Sequence, residues 1–246
     1  MEYATWAPQY ARIRAQFGFP FDREEASASR LTALLPRGGA RSGLAKAKER
    51  LNGRLVVVVG LAPGAGAPPL WRLTLGDVPP AVIAADGATA ACLEAGIVPD
   101  LVVTDLDGPV PSEVTANARG ALVVVHAHGD NRAAIERWVP EFAGEVLGSW
   151  AGPPTEDLVN VGGFTDGDRG VYLAEHLGAR RILLWGFDFH STEEADPAER
   201  ARKLEKLSVA RDLLAFLAAR TSTPIERWER DGTRRPYPAG TGSSTQ

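Results

Sequence analysis

The chain has 246 residues and a formal net charge of -4, which argues against a general nucleic-acid or membrane-surface role, since both favour basic patches. Its 44% hydrophobic and 24% charged residues fit a soluble globular protein with one large domain, or one domain and a small appendage. The single cysteine, Cys92, excludes an internal disulfide, the start lacks the apolar core of a signal peptide, and the longest apolar run, Leu55–Val59, is far shorter than the roughly 20 residues that span a bilayer. A cytoplasmic protein is expected.

Trp6, Tyr10, Ile13 and Phe17 recur at helical spacing and predict a first amphipathic helix. Asp22 is placed to cap a second, which runs to Leu34 and Leu35 and is ended by Pro36 and the Gly38-Gly39 pair. A third, basic helix is expected over residues 42–51. Residues 1–53 thus read as a helical N-terminal region, 54–230 as an α/β catalytic domain and 231–246, rich in Gly, Pro, Ser and Thr, as a flexible tail.

The α/β pattern starts with Leu55–Val59, apolar throughout, as a parallel strand covered on both faces would be. Further strands are expected at Ala81–Ala85, Leu101–Thr104, 121–126, 145–147 and Arg181–Trp185, with helices between them and a final helix over 197–219. That alternation predicts a doubly wound, mostly parallel sheet with helices on both faces.

Ligands of such sheets bind at the carboxyl ends of the strands, and the loops there are acidic: Asp86, Asp105, Asp107, Asp130, Asp166, Asp168 and Asp188. Converging carboxylates invite a hard divalent cation such as Mg²⁺, although an Asp after a strand also serves as a cap or turn former. The pair Asp105 and Asp107, at i and i+2, leaves a strand end toward one side and points most clearly to a site. Two glycine loops add to this. Gly60-Leu-Ala-Pro-Gly-Ala-Gly66 precedes a helix and offers amides to an anion, but lacks the P-loop ending. Gly162-Gly-Phe-Thr-Asp-Gly-Asp168 joins glycines, a capping Thr165 and two carboxylates at a helix entry, which suits a nucleotide phosphate with its metal.

No nucleophile constellation is present. Cys92 and His176 fall inside helices and read as structural. His126-Ala-His-Gly-Asp-Asn131 follows a strand, and its imidazoles suit substrate orientation or phosphate contact better than a two-His zinc site. Lys203 and Lys206, at i and i+3, share a face of the last helix, and Leu204 and Leu207 are expected to anchor the stripe beside them.

These strings match a known pattern. Ala85-Asp-Gly-Ala88, Pro99-Asp-Leu-Val-Val-Thr-Asp-Leu-Asp-Gly108, His126-Ala-His-Gly-Asp-Asn131, Gly163-Phe-Thr-Asp-Gly-Asp-Arg169, Gly186-Phe-Asp-Phe189 and Lys203-Leu-Glu-Lys-Leu207 occur in order. Together they resemble the archaeal-type 6-hydroxymethyl-7,8-dihydropterin pyrophosphokinase family, and the first two also resemble thiamine pyrophosphokinase. The resemblance implies Mg²⁺-dependent transfer of pyrophosphate from ATP to a hydroxymethyl-bearing heterocycle with release of AMP, feeding folate or methanopterin synthesis. Carried onto matching positions, it implies metal ligation by Asp105, Asp107 and Asp168. It gives ATP contacts to Gly60, Gly64, Gly163, Thr165, Asp166, Lys203 and Lys206, and substrate contacts to Asp86, His126, His128, Asn131 and Asp188. Asp107 or Asp130 would take the alcohol's proton, with Lys206 at the reacting phosphates. The first glycine loop departs from the family's Gly-Pro-Ser and keeps only its amides. The rivals are thiamine pyrophosphokinase, a non-catalytic nucleotide-binding domain and a two-metal phosphoesterase. No nucleic-acid or membrane partner is expected, and a homodimer stays open.

Overall fold

A computed structural model describes residues 2–73 and 79–237 of the chain. Three helices come first: α1 (Tyr3–Phe17), α2 (Phe21–Leu34) and α3 (Gly39–Leu51). The sheet follows as β1 (Leu55–Val59), β2 (Ala81–Ala85), β3 (Leu101–Thr104), β4 (Leu122–Ala127), β5 (Val146–Trp150), β6 (Leu158–Val159), β7 (Arg181–Trp185), β8 (Ile225–Trp228) and β9 (Arg234–Pro236). Between the strands lie α4 (Ala88–Glu94), α5 (Val110–Ala118), α6 (Arg132–Trp138), α7 (Asp166–His176) and α8 (Pro197–Ala218).

The strand order is β6-β5-β4-β3-β2-β1-β7-β8-β9, parallel except for the last pair. The chain winds outward from β1 through β6, then returns to place β7 on the other side of β1. That reversal makes the carboxyl ends of β1 and β7 a topological switch point, where such sheets bind ligands.

Why these strands lie in the middle follows from their composition: Leu55–Val59 and Ala81–Ala85 are buried at every position. Alternate side chains feed opposite cores, so Val56, Val58, Ile83, Val103 and Val124 meet one helical layer and Val57, Val82, Val102 and Val123 the other. Each such side chain contributes about 1.5–3 kcal/mol on burial. The N-terminal helices share these cores. Trp6, Ile13, Ala47 and Leu51 of α1 and α3 join the layer of α7 and α8, while Ala28 and Leu31 of α2 join the opposite layer. Tyr172 of α7 donates to Leu213 O of α8 (2.8 Å) and locks those two helices.

Four local expectations change. Helix α2 begins at Phe21 without a side-chain cap, and Asp22 lies in its first turn, where it still favours the helix dipole. The Gly60–Gly66 loop runs into a 3-10 turn at Leu70–Arg72 instead of a helix, so any anion there meets loop amides rather than a helix end. In α8 the buried stripe starts at Ala210 and continues through Leu213, Leu214 and Leu217, so neither Leu204 nor Leu207 anchors it. The expected tail starts in order: β9 pairs with β8, and Tyr237 is buried with its hydroxyl on Arg211 O (3.0 Å). Residues 238–246 of that tail lie outside the described residues.

Candidate active site

Three loops bring carboxylates together at the strand ends. Asp86 leaves β2 at φ 40°, with its amide on Val103 O of β3 (2.8 Å). Asp105 and Asp107 leave β3 on either side of Leu106, which is held at φ 68° by a bond from its amide to Thr104 Oγ1 (2.8 Å). A leucine in this region is strained by about 1–3 kcal/mol. The turn buries Leu106 in the core and leaves its two acidic neighbours at the crevice. Strand alternation alone would not do this. Gly108 closes the turn so tightly that a β-carbon there would lie 2.2 Å from Asp86 Oδ2, so a larger residue would push the Asp86 carboxylate from its place. Asp166, the first residue of α7, completes the group.

Crowding shows in the proton affinities. Burial, then repulsion by Asp105, pushes the Asp107 carboxyl up to about 7. Asp166 is held well above the usual range by burial and by Asp105 and Asp86, and burial also raises Asp86. Burial works against ionisation of Asp105 too, but His128, Asp107 and Arg169 together outweigh it and hold that carboxyl low. Behind Asp86 lies Glu113 of α5, fully buried and pushed up to about 9 by burial and by Asp86. It is therefore a neutral acid at pH 7, and sequence reasoning missed it. The available signal was a carboxylate on the buried stripe of α5, with Val110, Ala116 and Asn117. Arg169, 6% exposed, is the buried cation facing Asp166, Asp168 and Asp105, with its Nη2 on Phe164 O (3.0 Å).

The histidine loop splits its roles. His128 Nε2 lies 3.3 Å from Asp105 Oδ2, and its Nδ1 accepts from the Asp130 amide (3.3 Å), which leaves Nε2–H to donate toward Asp105. His126 is buried in β4 with Nδ1 against Ser149 Oγ (2.9 Å), and burial pushes it well below its usual range. Its expected substrate contact gives way to a place within the sheet. Asn131 spends its amide on Asp105 O (2.8 Å), His126 O (2.7 Å) and the His128 amide (3.0 Å), so it ties loops together instead of meeting substrate.

Two expected acidic-centre residues lie elsewhere. Asp130 is exposed, with Arg23 as its ion-pair partner at 3.9 Å, and does not join the group. Asp168 is fully buried and accepts the amides of Phe164 and Thr165 (2.7 Å each) and the Thr165 hydroxyl (2.6 Å). It forms a capping box with Thr165, which spends both carboxyl oxygens on the fold rather than on a metal. Gly163, at φ 91°, makes this possible: a β-carbon there would collide with Arg169 Cα at 2.4 Å.

Beside the acidic group, a cleft of about 430 Å³ opens over β1 and β7. Gly60, Gly64, Asp86, Thr165, Asp166 and Lys203 are among its lining residues, and Leu207 faces it from α8. Lys206 is half-buried and outside that lining. Asp188 sits at its edge, with both oxygens engaged by the His190 amide (2.8 Å) and the Ser191 hydroxyl (2.5 Å). A second cavity of about 630 Å³, bordered by Arg227, Trp228 and Arg230, shares the walls formed by Ala62, Pro63 and Phe187. Among the described residues, no three His, Cys, Asp or Glu side chains form a ready-made metal cage.

The family profile described as 6-hydroxymethylpterin diphosphokinase, MptE-like, matches residues 78–194, which hold every carboxylate of the group. A curated 6-hydroxymethyl-7,8-dihydropterin pyrophosphokinase of Methanothermobacter thermautotrophicus is 40% identical over 238 residues, covering 93% of this chain and 100% of that protein. The chain belongs to the 6-hydroxymethyl-7,8-dihydropterin pyrophosphokinase family. A protein of that name from Pyrococcus furiosus is 40% identical, covering 88% of this chain and 94% of its own. A solved thiamine pyrophosphokinase from Bacillus subtilis is similar at 18% identity and TM-score 0.39, over 72% of this chain and 61% of that one. No helix among the described residues is long and apolar enough to cross a membrane.

Proposed function

We propose that this chain transfers the pyrophosphoryl group of ATP to the hydroxymethyl oxygen of 6-hydroxymethyl-7,8-dihydropterin and releases AMP. The observation that carries the reading is the meeting of Asp86, Asp105, Asp107 and Asp166 at the mouth of a glycine-lined cleft at the switch point. Phosphoryl-type transfer needs positioning and charge control rather than a protein nucleophile, and the site has carboxylates, loop glycines and a lysine in place of one.

In this reading the ATP phosphates lie in the smaller cleft against the Gly60–Gly66 loop and Lys203, and the nucleoside extends into the cavity bordered by Trp228 and Arg230. The donor set fits a hard cation: Asp105 and Asp107, with Asp86 and Asp166 beside them, offer only oxygen, and Mg²⁺ takes one or two carboxylates plus substrate phosphates. Bound there, it would neutralise the phosphates and polarise the phosphorus under attack. Lys203 adds positive charge on the leaving AMP side. His128 and Arg169 orient the Asp105 carboxylate, and Glu113, neutral behind Asp86, keeps that position from adding another charge. Asp107, the most open of the group, is placed to accept the hydroxyl proton as the new bond forms. ATP as donor puts the reaction in the cytoplasm.

The test is AMP release from ATP by the purified chain with either 6-hydroxymethyl-7,8-dihydropterin or thiamine, with Mg²⁺ and with chelator. Release with the pterin and Mg²⁺ alone is expected. Release with thiamine alone would replace the substrate, and full activity in chelator would remove the metal from the account.

A further inference from the structure

One flank of the acidic group holds polar atoms that the protein itself does not satisfy. Opposite the ATP cleft, α2 meets the His128 loop. A β-carbon on Gly129 would lie 3.2 Å from Arg23 Cβ and 3.8 Å from Glu24 N. Glu24, 2% exposed, accepts the Tyr10 hydroxyl on Oε1 (2.5 Å), while its buried Oε2 has no partner. Asp105 Oδ1 and Arg169 Nε are also buried and unmet. The three side chains are linked through shared neighbours: the His128 loop packs on α2 at Gly129, His128 bonds Asp105, and Arg169 faces both Asp105 and the Tyr10 that bonds Glu24.

Buried polar atoms nearly always have partners, and leaving one unmet carries a penalty that folding does not repay. Asp105 Oδ1 faces the cation site proposed above, which leaves one acceptor, Glu24 Oε2, and one donor, Arg169 Nε, as a pattern that a polar ligand would complete. Next to them, half-buried Phe17, Phe19 and Phe164 stand with ring centroids 5.3–6.3 Å apart, and Phe164 holds Arg169 through its carbonyl. Aromatic rings beside a small polar set suit a flat heterocycle.

We infer that this flank, built from α1, α2 and the entry to α7, binds the acceptor heterocycle, with Glu24 Oε2 taking adjacent N–H donors and Arg169 Nε meeting a ring carbonyl. The inference rests on the pterin reading above and adds the residues that would set its specificity. A pterin presents an amino group, a ring N–H and a carbonyl in a row, which match an acceptor followed by a donor. The aminopyrimidine of thiamine has no such carbonyl and offers a ring nitrogen acceptor that a carboxylate would repel. The two substrates then approach from opposite sides, ATP over β1 and β7 and the heterocycle over β3 and β4, with the carboxylates between them.

Glu24→Gln tests this closely, because the amide can still accept from Tyr10 while its other end turns from acceptor to donor. Binding of 6-hydroxymethyl-7,8-dihydropterin and of a non-hydrolysable ATP analogue would be measured separately on the full chain, with melting temperature as the folding control. The expected result is pterin affinity lower by about tenfold or more, with analogue affinity and melting temperature held. If Glu24→Gln fails to fold, Glu24→Asp, which keeps the charge but retracts it, should show the same selective loss. Wild-type pterin affinity in a folded variant overturns the assignment alone and leaves Glu24 as a tie between α1 and α2. A wild-type chain that binds the analogue but no pterin overturns the functional reading, and this assignment with it.

Discussion

Replacing Asp168 by alanine separates a helix cap from a metal ligand. Its carboxylate accepts two amides and one hydroxyl at 2.6–2.7 Å with no exposed surface. Alanine leaves the Phe164 and Thr165 amides without that acceptor, at about 1–3 kcal/mol each. Part is returned because the carboxylate is itself costly to bury, as its raised proton affinity shows. The net loss is about 2–4 kcal/mol, and at about 2–4 °C per kcal/mol for a chain of this size the melting temperature should fall by about 5–15 °C. Thermal unfolding and turnover per folded molecule, measured well below the transition, check this. Turnover should stay within a few-fold of wild type. An unchanged melting temperature with turnover abolished would refute the reasoning and return Asp168 to the metal.

Glu113 keeps its proton to about pH 9 when folded, against 4.5 when unfolded, so its contribution to stability is complete below 4.5 and is lost as pH rises toward 9. In chelator, Glu113→Gln should therefore flatten the decline in stability between pH 5 and 9; parallel denaturation profiles would contradict this. Gly108→Ala should lower turnover by about tenfold or more, since its β-carbon cannot coexist with Asp86 in place; wild-type kinetics would show that the turn yields at no cost. Lys203→Ala should weaken ATP binding far more than Lys206→Ala, because only the former lines the cleft, and equal effects in a titration would contradict that division. Asp105→Asn and Asp107→Asn should each abolish turnover, with melting temperature held or raised for Asp107→Asn, which removes repelling charge at constant volume, and held or lowered for Asp105→Asn, which loses a charge that His128 and Arg169 favour.

The sheet was legible because its strands are short, apolar and punctuated by glycine, a pattern that leaves little choice but burial on both faces. Strands β6, β8 and β9 were not. Leu158–Val159 is too short for periodicity to register, and the last two carry Glu226, Arg227, Arg234 and Arg235, charges that an edge tolerates but that hide the apolar run of a strand. Within the site, Asp86, Asp105, Asp107 and Asp166 could be found because a strand followed by an acidic loop has a fixed place in this architecture. The same rule gathered Asp130 and Asp168, since sequence cannot tell a carboxylate aimed at solvent or at its own backbone from one aimed at the crevice. Glu113, Glu24 and Arg169 escaped for the opposite reason: they reach the site from within helices, where position along the chain gives no hint of a shared destination.

The central claim concerns which bond of ATP is broken. A ³¹P NMR spectrum of the purified chain with ATP, Mg²⁺ and 6-hydroxymethyl-7,8-dihydropterin reads it directly. The expected spectrum shows the resonance of AMP together with two mutually coupled resonances of a pterin diphosphate, in equal amounts. ADP with a pterin monophosphate, or ADP with inorganic phosphate, would contradict it.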